Sequence, residues 1–150
     1  MIFIGILLLL VAGLAEGVQD KINFHYDRSI FKYWNKLFWD INQSYLNKYI
    51  DRDSSKGETF RGKYLVFTTD GWHLMKFISR WSTYIGLFLI IISFANDSNV
   101  LKLLYTLVTS FLSRSLTFNL VWKLTDEKSV PVTIGLILKF LWIKENFKDK

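Results

Sequence analysis

Asp70 and His73 stand three residues apart in TTDGWHLMKF, Thr68 to Phe77, just ahead of the apolar run WSTYIGLFLIIISFA. Residues i and i+3 share a helical face, so this spacing brings a carboxylate to an imidazole. Such a pair can work as an oriented acid–base group. It can also supply oxygen and nitrogen ligands to Zn, Mn or Fe. Glu16, Asp20 and His25 are the residues available to complete a metal shell, so one expectation is a divalent metal held by Asp70, His73, Glu16 and Asp20. The metal-free version has His73, oriented by Asp70, act on a lipid or isoprenoid phosphate held by Arg80 and Lys76, with Glu16 in the catalytic set. The signal is short. D-x-x-H arises often by chance, and HExxH, a phosphate-binding Gly loop and a dinucleotide fingerprint are all absent. No one serine stands out for a Ser-His-Asp triad. The plain alternative for Trp72 and His73 is anchoring at a membrane interface.

What positions these residues is a set of apolar segments. The chain has 150 residues, enough for one domain, and 51% of them are hydrophobic and 17% aromatic, with one proline. A soluble domain of this size has difficulty hiding so much apolar surface. There is no cysteine, which excludes disulfides and thiolate metal sites. The net charge of +6 resides between apolar segments and suits anionic head groups better than nucleic acid. We expect an all-α polytopic membrane bundle of three or four spans, as a single domain.

The first span is expected at about 1–18. Gly13-Leu14-Ala15 resembles a signal-peptidase site, but the basic n-region is missing, which favours an uncleaved anchor. The second span is expected at 78–95 on a helix starting near Asp70, and the third at 100–122 after the turn NDSN. A fourth segment, 130–143, rises only roughly 21 Å as a helix, short of the roughly 30 Å hydrocarbon core. Ser129 and Pro131 suit its first turn. Nine Lys/Arg fall between Gln19 and Thr69 and none in NDSN. The positive-inside rule then puts the N-terminus outside and the 19–69 connection in the cytoplasm. Lys144, Lys148 and Lys150 fit better if the fourth segment does not cross.

Residues 24–49 carry nine aromatics. Ile30, Trp34, Leu37, Phe38 and Ile41 recur at helical spacing, and Ser29 is placed to cap. The expectation is an interfacial amphipathic helix over about 24–50, lying on the head groups or docking a protein partner. Single-stranded nucleic acid is disfavoured beside a membrane anchor. Residues 51–63 read as a charged surface loop, and YLVFTT (Tyr64 to Thr69) reads either as a β-prone run or as a helix entrance.

Helical phase groups the polar residues into stripes. Asp70, His73, Arg80 and Tyr84, with Phe77, fall on one side of the second helix. Lys102, Thr106, Ser110, Ser113 and Thr117 repeat on the third, with Arg114 on the shoulder. Glu16, Asp20, Asn23 and Asp27 repeat at the end of the first, and Gly5 and Ala12 extend that face. Arg114, near mid-span, is expected to turn inward and pair with a carboxylate or a hydroxyl stripe. Depth allows one cluster joining Glu16, Asp70, Arg80, Arg114 and Thr117. Such a cluster is either packing glue or a site open to the cytoplasmic leaflet.

GLAEGVQDKINFHYDRSIF and KGETFRGKYLVFTTDGWHLMKF resemble a group of small uncharacterised bacterial integral membrane proteins, over roughly 13–77. The resemblance implies bacterial origin and an inner-membrane location, and no activity. The D-x-x-H opening is distantly similar to VanZ-type membrane proteins over four residues. Three functions follow as expectations: first, a non-catalytic interaction or accessory component; second, an enzyme acting on a lipid head group or lipid-linked phosphate; third, a channel or transport subunit, which requires oligomers because three helices enclose little pore.

Overall fold

The computed structural model describes residues 1–95 and 99–128. The described residues are all-helical, and three long helices carry them: α1 (Ile2–Phe24), α5 (Gly71–Ser93) and α6 (Val100–Leu124). Between α1 and α5 lie the short helices α2 (Lys36–Trp39), α3 (Ile41–Ser44) and α4 (Phe60–Tyr64), with 3-10 turns around them. Helices α1 and α5 are long and apolar enough to cross a membrane. Helix α6 has the length, but Arg114 and its hydroxyls lower its apolarity. The 130–143 segment and the C-terminal lysines lie outside the described residues.

Helix α1 is the middle layer, with α5 on one side and α6 on the other. Small residues set both contacts. A Cβ built on Gly5 would lie 2.7 Å from Ile90 Cγ1 and 2.8 Å from the Gly86 carbonyl oxygen; one built on Gly86 would lie 2.9 Å from the Gly5 carbonyl oxygen. On the other side, a Cβ on Gly13 would meet Thr117 Oγ1 at 2.3 Å and the Arg114 carbonyl at 2.4 Å. Gly17 would meet the Phe118 carbonyl at 2.9 Å. The pairing of Gly5 with Gly86 and Ile90 makes α5 antiparallel to α1. The pairings of Gly13 with Thr117 and Gly17 with Val121 make α6 parallel to it. Leu9, Ile90 and Phe94 close the far end of the bundle, with Ile6, Leu103 and Leu107 packed on them.

The other end carries the 25–70 connection. The single amphipathic helix expected over 24–50 does not form. The segment is a chain of short turns: Tyr26–Arg28, Ile30–Tyr33, α2, α3 and Tyr45–Lys48. Local side-chain bonds open α2 and α3 as separate turns. Asn35 accepts from Leu37 N (2.9 Å) and Asp40 from Asn42 N (3.0 Å), the competition with helix that Asx residues offer. Ser29 does not cap; its hydroxyl donates to the Tyr26 carbonyl. The helical spacing of the aromatics is used differently, to gather Phe31, Trp34, Phe38 and Trp39 into one ring cluster with neighbouring centroids 5.0–5.3 Å apart. Tyr64 to Thr69 is no strand; Val66–Thr68 is a 3-10 turn. The 51–63 loop contains helical turns as well, at Ser54–Lys56 and α4.

Gly13→Ala is expected to lower stability by about 1–3 kcal/mol, because its new methyl meets backbone that cannot yield. Leu14→Ala, on the outward face one residue along, is expected to change it far less. Thermal unfolding of the detergent-purified variants checks the difference.

Candidate functional site

The buried face of α5 is Gly71, Ser79, Ser82, Gly86 and Ile90. At 100° per residue it lies roughly 150° from Asp70, across the helix from the expected polar stripe. Arg80 and Tyr84 are turned outward, Tyr84 at 62% exposure. The expected three-helix polar cluster therefore does not assemble. Small residues take the helix–helix contact because they let backbones approach, and Arg80, near the middle of α5, is exposed instead.

What the structure brings together is a set of separate pairs. Arg114 does turn inward, and its guanidinium donates twice to one Glu16 carboxylate oxygen, from Nη2 at 2.8 Å and Nε at 3.1 Å. Thr117 Oγ1 lies 2.8 Å from the Arg114 carbonyl and 3.3 Å from that of Leu10. Ser110 is buried and bonds back to Thr106. The α6 stripe thus faces α1 as expected, except at its start, where Lys102 is exposed with its ammonium 5.7 Å above the Phe94 ring. Asp20 makes no hydrogen bond or ion pair among the described residues.

Asp70 and His73 form their own unit. Asp70 is the N-cap of α5: its Oδ1 accepts from the His73 backbone N–H at 2.9 Å, and its carboxylate lies 2.8 Å from His73 Nδ1. Thr69 Oγ1 lies 3.0 Å from Oδ2. In a neutral imidazole with its proton on Nδ1 toward this carboxylate, Nε2 is the acceptor. Burial pushes the Asp70 carboxyl up, but the hydrogen bonds from the His73 ring, the His73 backbone and Thr69 outweigh it and hold the pKa below the usual range. The surrounding connection positions this turn. Trp39 packs against Gly71, where a Cβ would sit 2.6 Å from the indole. Asn47 Nδ2 donates to the Thr69 carbonyl (2.9 Å) and the Leu37 carbonyl (2.6 Å), and Arg61 Nη2 to the Thr68 carbonyl (2.7 Å).

The expected metal shell is not built. Among the described residues no three His, Asp or Glu side chains come together to hold a metal ion. The register of α1 on α5 separates Glu16 from Asp70 by roughly 12 Å along the bundle, at about 1.5 Å per residue. Glu16 is also engaged by Arg114. His25 is exposed, with its ring edge-on to Trp122 at 5.2 Å.

Sequence reasoning missed a second set of residues. Lys21 is 1% exposed, and its ammonium donates to Asp126 at 2.7 Å beneath the Trp122 ring. Lys32 and Tyr33 both donate to Glu127. Backbone bonds complete this seam: Ile30 N donates to the Thr125 carbonyl and Glu127 N to the Arg28 carbonyl. The Lys21 bond holds the Asp126 carboxyl below its usual range, as Lys32 does for Glu127. The Gly13-x-x-x-Gly17 spacing in GLAEG is a small-xxx-small pattern that fits the α1–α6 contact. No local pattern signalled Lys21 with Asp126, which are far apart in sequence. Comparison with protein-family models, characterised proteins and solved structures finds no match to this chain.

Two measurements test these pairs. Asp70→Ala is expected to cost about 0.5–2 kcal/mol through the lost cap. Asp70→Asn keeps the cap and removes the charge. A carboxyl with a depressed folded pKa stabilises the fold above its unfolded value near 3.8 and loses that contribution as pH falls through the folded pKa. The thermal-midpoint advantage of the wild type over Asp70→Asn should therefore be present at pH 7 and shrink as the pH falls below 3.8. Across α1 and α6, a double-mutant cycle of Glu16→Gln and Arg114→Gln is expected to show coupling of about 1 kcal/mol, with the double variant less damaged than the sum of the singles.

Proposed function

We propose that this chain is a small integral membrane protein with α1, α5 and α6 as three spans, acting as a non-catalytic interaction or accessory component. One observation carries the membrane reading. Large apolar side chains are turned outward along all three long helices: Phe3 and Leu7 on α1, Ile85, Phe88 and Ile91 on α5, and Leu104, Val108, Leu112 and Leu116 on α6. Extended apolar surface of this kind marks an interaction with lipid or protein rather than water. The charged 25–70 connection and the end of α6 share one face of the bundle, which the positive-inside rule assigns to the cytoplasm, with the N-terminus outside. We propose the bacterial inner membrane as the setting.

The non-catalytic part rests on how the polar groups are used. Glu16 is tied to Arg114, Lys21 to Asp126 and Asp70 to its own helix end. These bonds hold helices and cap together. The outward aromatics of the cap, Tyr33, Tyr45, Phe60 and Tyr64, supply a surface for head groups or for a protein partner. One observation favours the enzymatic alternative: His73 is oriented by Asp70 and keeps Nε2 uncommitted among the described residues, as a general base requires.

Alkaline carbonate washing should leave the protein with the membrane, and detergent should release it. A cysteine introduced as Ser55→Cys in this cysteine-free chain should react with an impermeant maleimide only after the cytoplasmic side is opened. Release by carbonate would contradict the membrane reading, and labelling from outside would reverse the orientation.

A further inference from the structure

A cleft of about 350 Å³ opens beside the first turn of α5, lined by Asn35, Leu37, Phe38, Asn47, Arg52, Arg61, Thr68 and Thr69. It holds two guanidinium groups and no carboxylate. Each arginine is fixed at one edge and spare at the other. Arg61 donates from Nη2 to the Thr68 carbonyl (2.7 Å) and from Nε to Thr68 Oγ1 (3.2 Å); Arg52 donates from Nη2 to the Gln43 carbonyl (2.8 Å). Their remaining N–H groups have no partner among the described residues, and neither arginine forms an ion pair there. The acid beside Arg52, Asp51, is taken by Lys56 at 2.8 Å.

The backbone is shaped to hold these groups. Asp51 and Arg52 both have positive φ, 52° and 60°, a region non-glycine residues rarely adopt and one that recurs at binding sites. An isolated bridge between Tyr49 and Glu58 closes that turn, and Thr59 N donates to the Lys48 carbonyl at 2.8 Å. Thr59 then caps α4 by accepting from Gly62 N (3.0 Å), which presents Arg61 to the cleft. Asn35 commits its oxygen to Leu37 N and keeps its Nδ2 donors. Leu37 and Phe38 supply an apolar wall.

We propose that this cleft is a binding site for a phosphate-bearing group, and that its ligand is the head group of an anionic phospholipid. Spare guanidinium donors are suited to phosphate oxygens. The volume lies near the small end of ligand pockets, enough for a phosphate with a glycerol, whose carbons the Leu37–Phe38 wall would meet. The cleft adjoins the start of α5, so in the proposed orientation it faces the head-group layer. The choice of lipid rests on the membrane reading, which carbonate extraction tests separately; the phosphate chemistry of the cleft does not depend on it.

The test is calorimetric titration of the detergent-purified full chain with short-chain phosphatidylglycerol and, separately, with inorganic phosphate. Arg52→Gln removes one donor set. Asn35→Asp keeps the α2 cap and places a negative charge in the cleft. Each is expected to weaken phosphatidylglycerol binding at least about tenfold. Thermal midpoints identify any variant that has lost its fold, and Asn35→Asp, which preserves the cap bond, decides if Arg52→Gln does not fold. Phosphatidylglycerol binding tighter than phosphate supports the lipid assignment. Equal binding of both, weakened in both variants, keeps the phosphate site and overturns the lipid. Absence of binding, or binding unchanged in a folded Asn35→Asp, overturns the proposal.

Discussion

The close approach of the α1 backbone to two neighbours at once is the constraint on which the structure depends. Gly5 meets Gly86 and Ile90 on one side; Gly13 and Gly17 meet the α6 backbone on the other. Contact at this distance favours dispersion and interhelical hydrogen bonding over side-chain interdigitation, and it is intolerant of added volume. It also fixes register. Once Gly5 is set against Gly86, the start of α5 falls beside the end of α1. Once Gly17 is set against Val121, Lys21 comes within reach of Asp126 just past α6. The N-terminal helix is thereby the middle layer of the bundle.

The polar chemistry follows from that register. Three charged groups are each answered by a partner at their own level: Arg114 by Glu16, Lys21 by Asp126, Asp70 by its helix end and His73. Pairs at different levels cannot merge, so the bundle interior holds braces. The groups with spare donors are displaced to the cap, where the turns after α1 hold Arg52 and Arg61 around a cleft. Structure and ligand chemistry are thus divided between the bundle and the connection.

Much of this was legible in the sequence. Long apolar runs marked α5 and α6 to within two residues and the start of α1, which runs on from the expected 18 to Phe24. Helical phase grouped Ser110 and Thr117 on one stripe with Arg114 at its shoulder, and the mid-helix charge was expected to turn inward to a carboxylate or a hydroxyl stripe; the partner is Glu16. Phase failed on α5 because it ranked polar residues above small ones. Asp70 and His73 look like the head of a stripe, yet they act as a cap, and Ser79, Ser82 and Gly86 own the buried face. The 24–50 segment misled for a related reason. Its aromatics have helical spacing, but Asn35 and Asp40 start α2 and α3 as separate turns with bonds that pattern-matching does not count. The cleft was not legible, because Asn35, Arg52, Arg61 and Thr68 meet only after those turns are folded.

The central claim is that α1 lies between α5 and α6, and cross-linking in this cysteine-free chain tests it most directly. Two Cβ pairs lie near disulfide range: Leu8 with a Cβ on Gly86, at 3.2 Å, and Val121 with a Cβ on Gly17, at 3.3 Å. Under mild oxidation in membranes, Leu8→Cys/Gly86→Cys and Gly17→Cys/Val121→Cys should each form an intramolecular disulfide. The outward pair Phe88→Cys/Leu112→Cys should not. Failure of both α1 pairs, with a bond between positions 88 and 112 instead, would contradict the account.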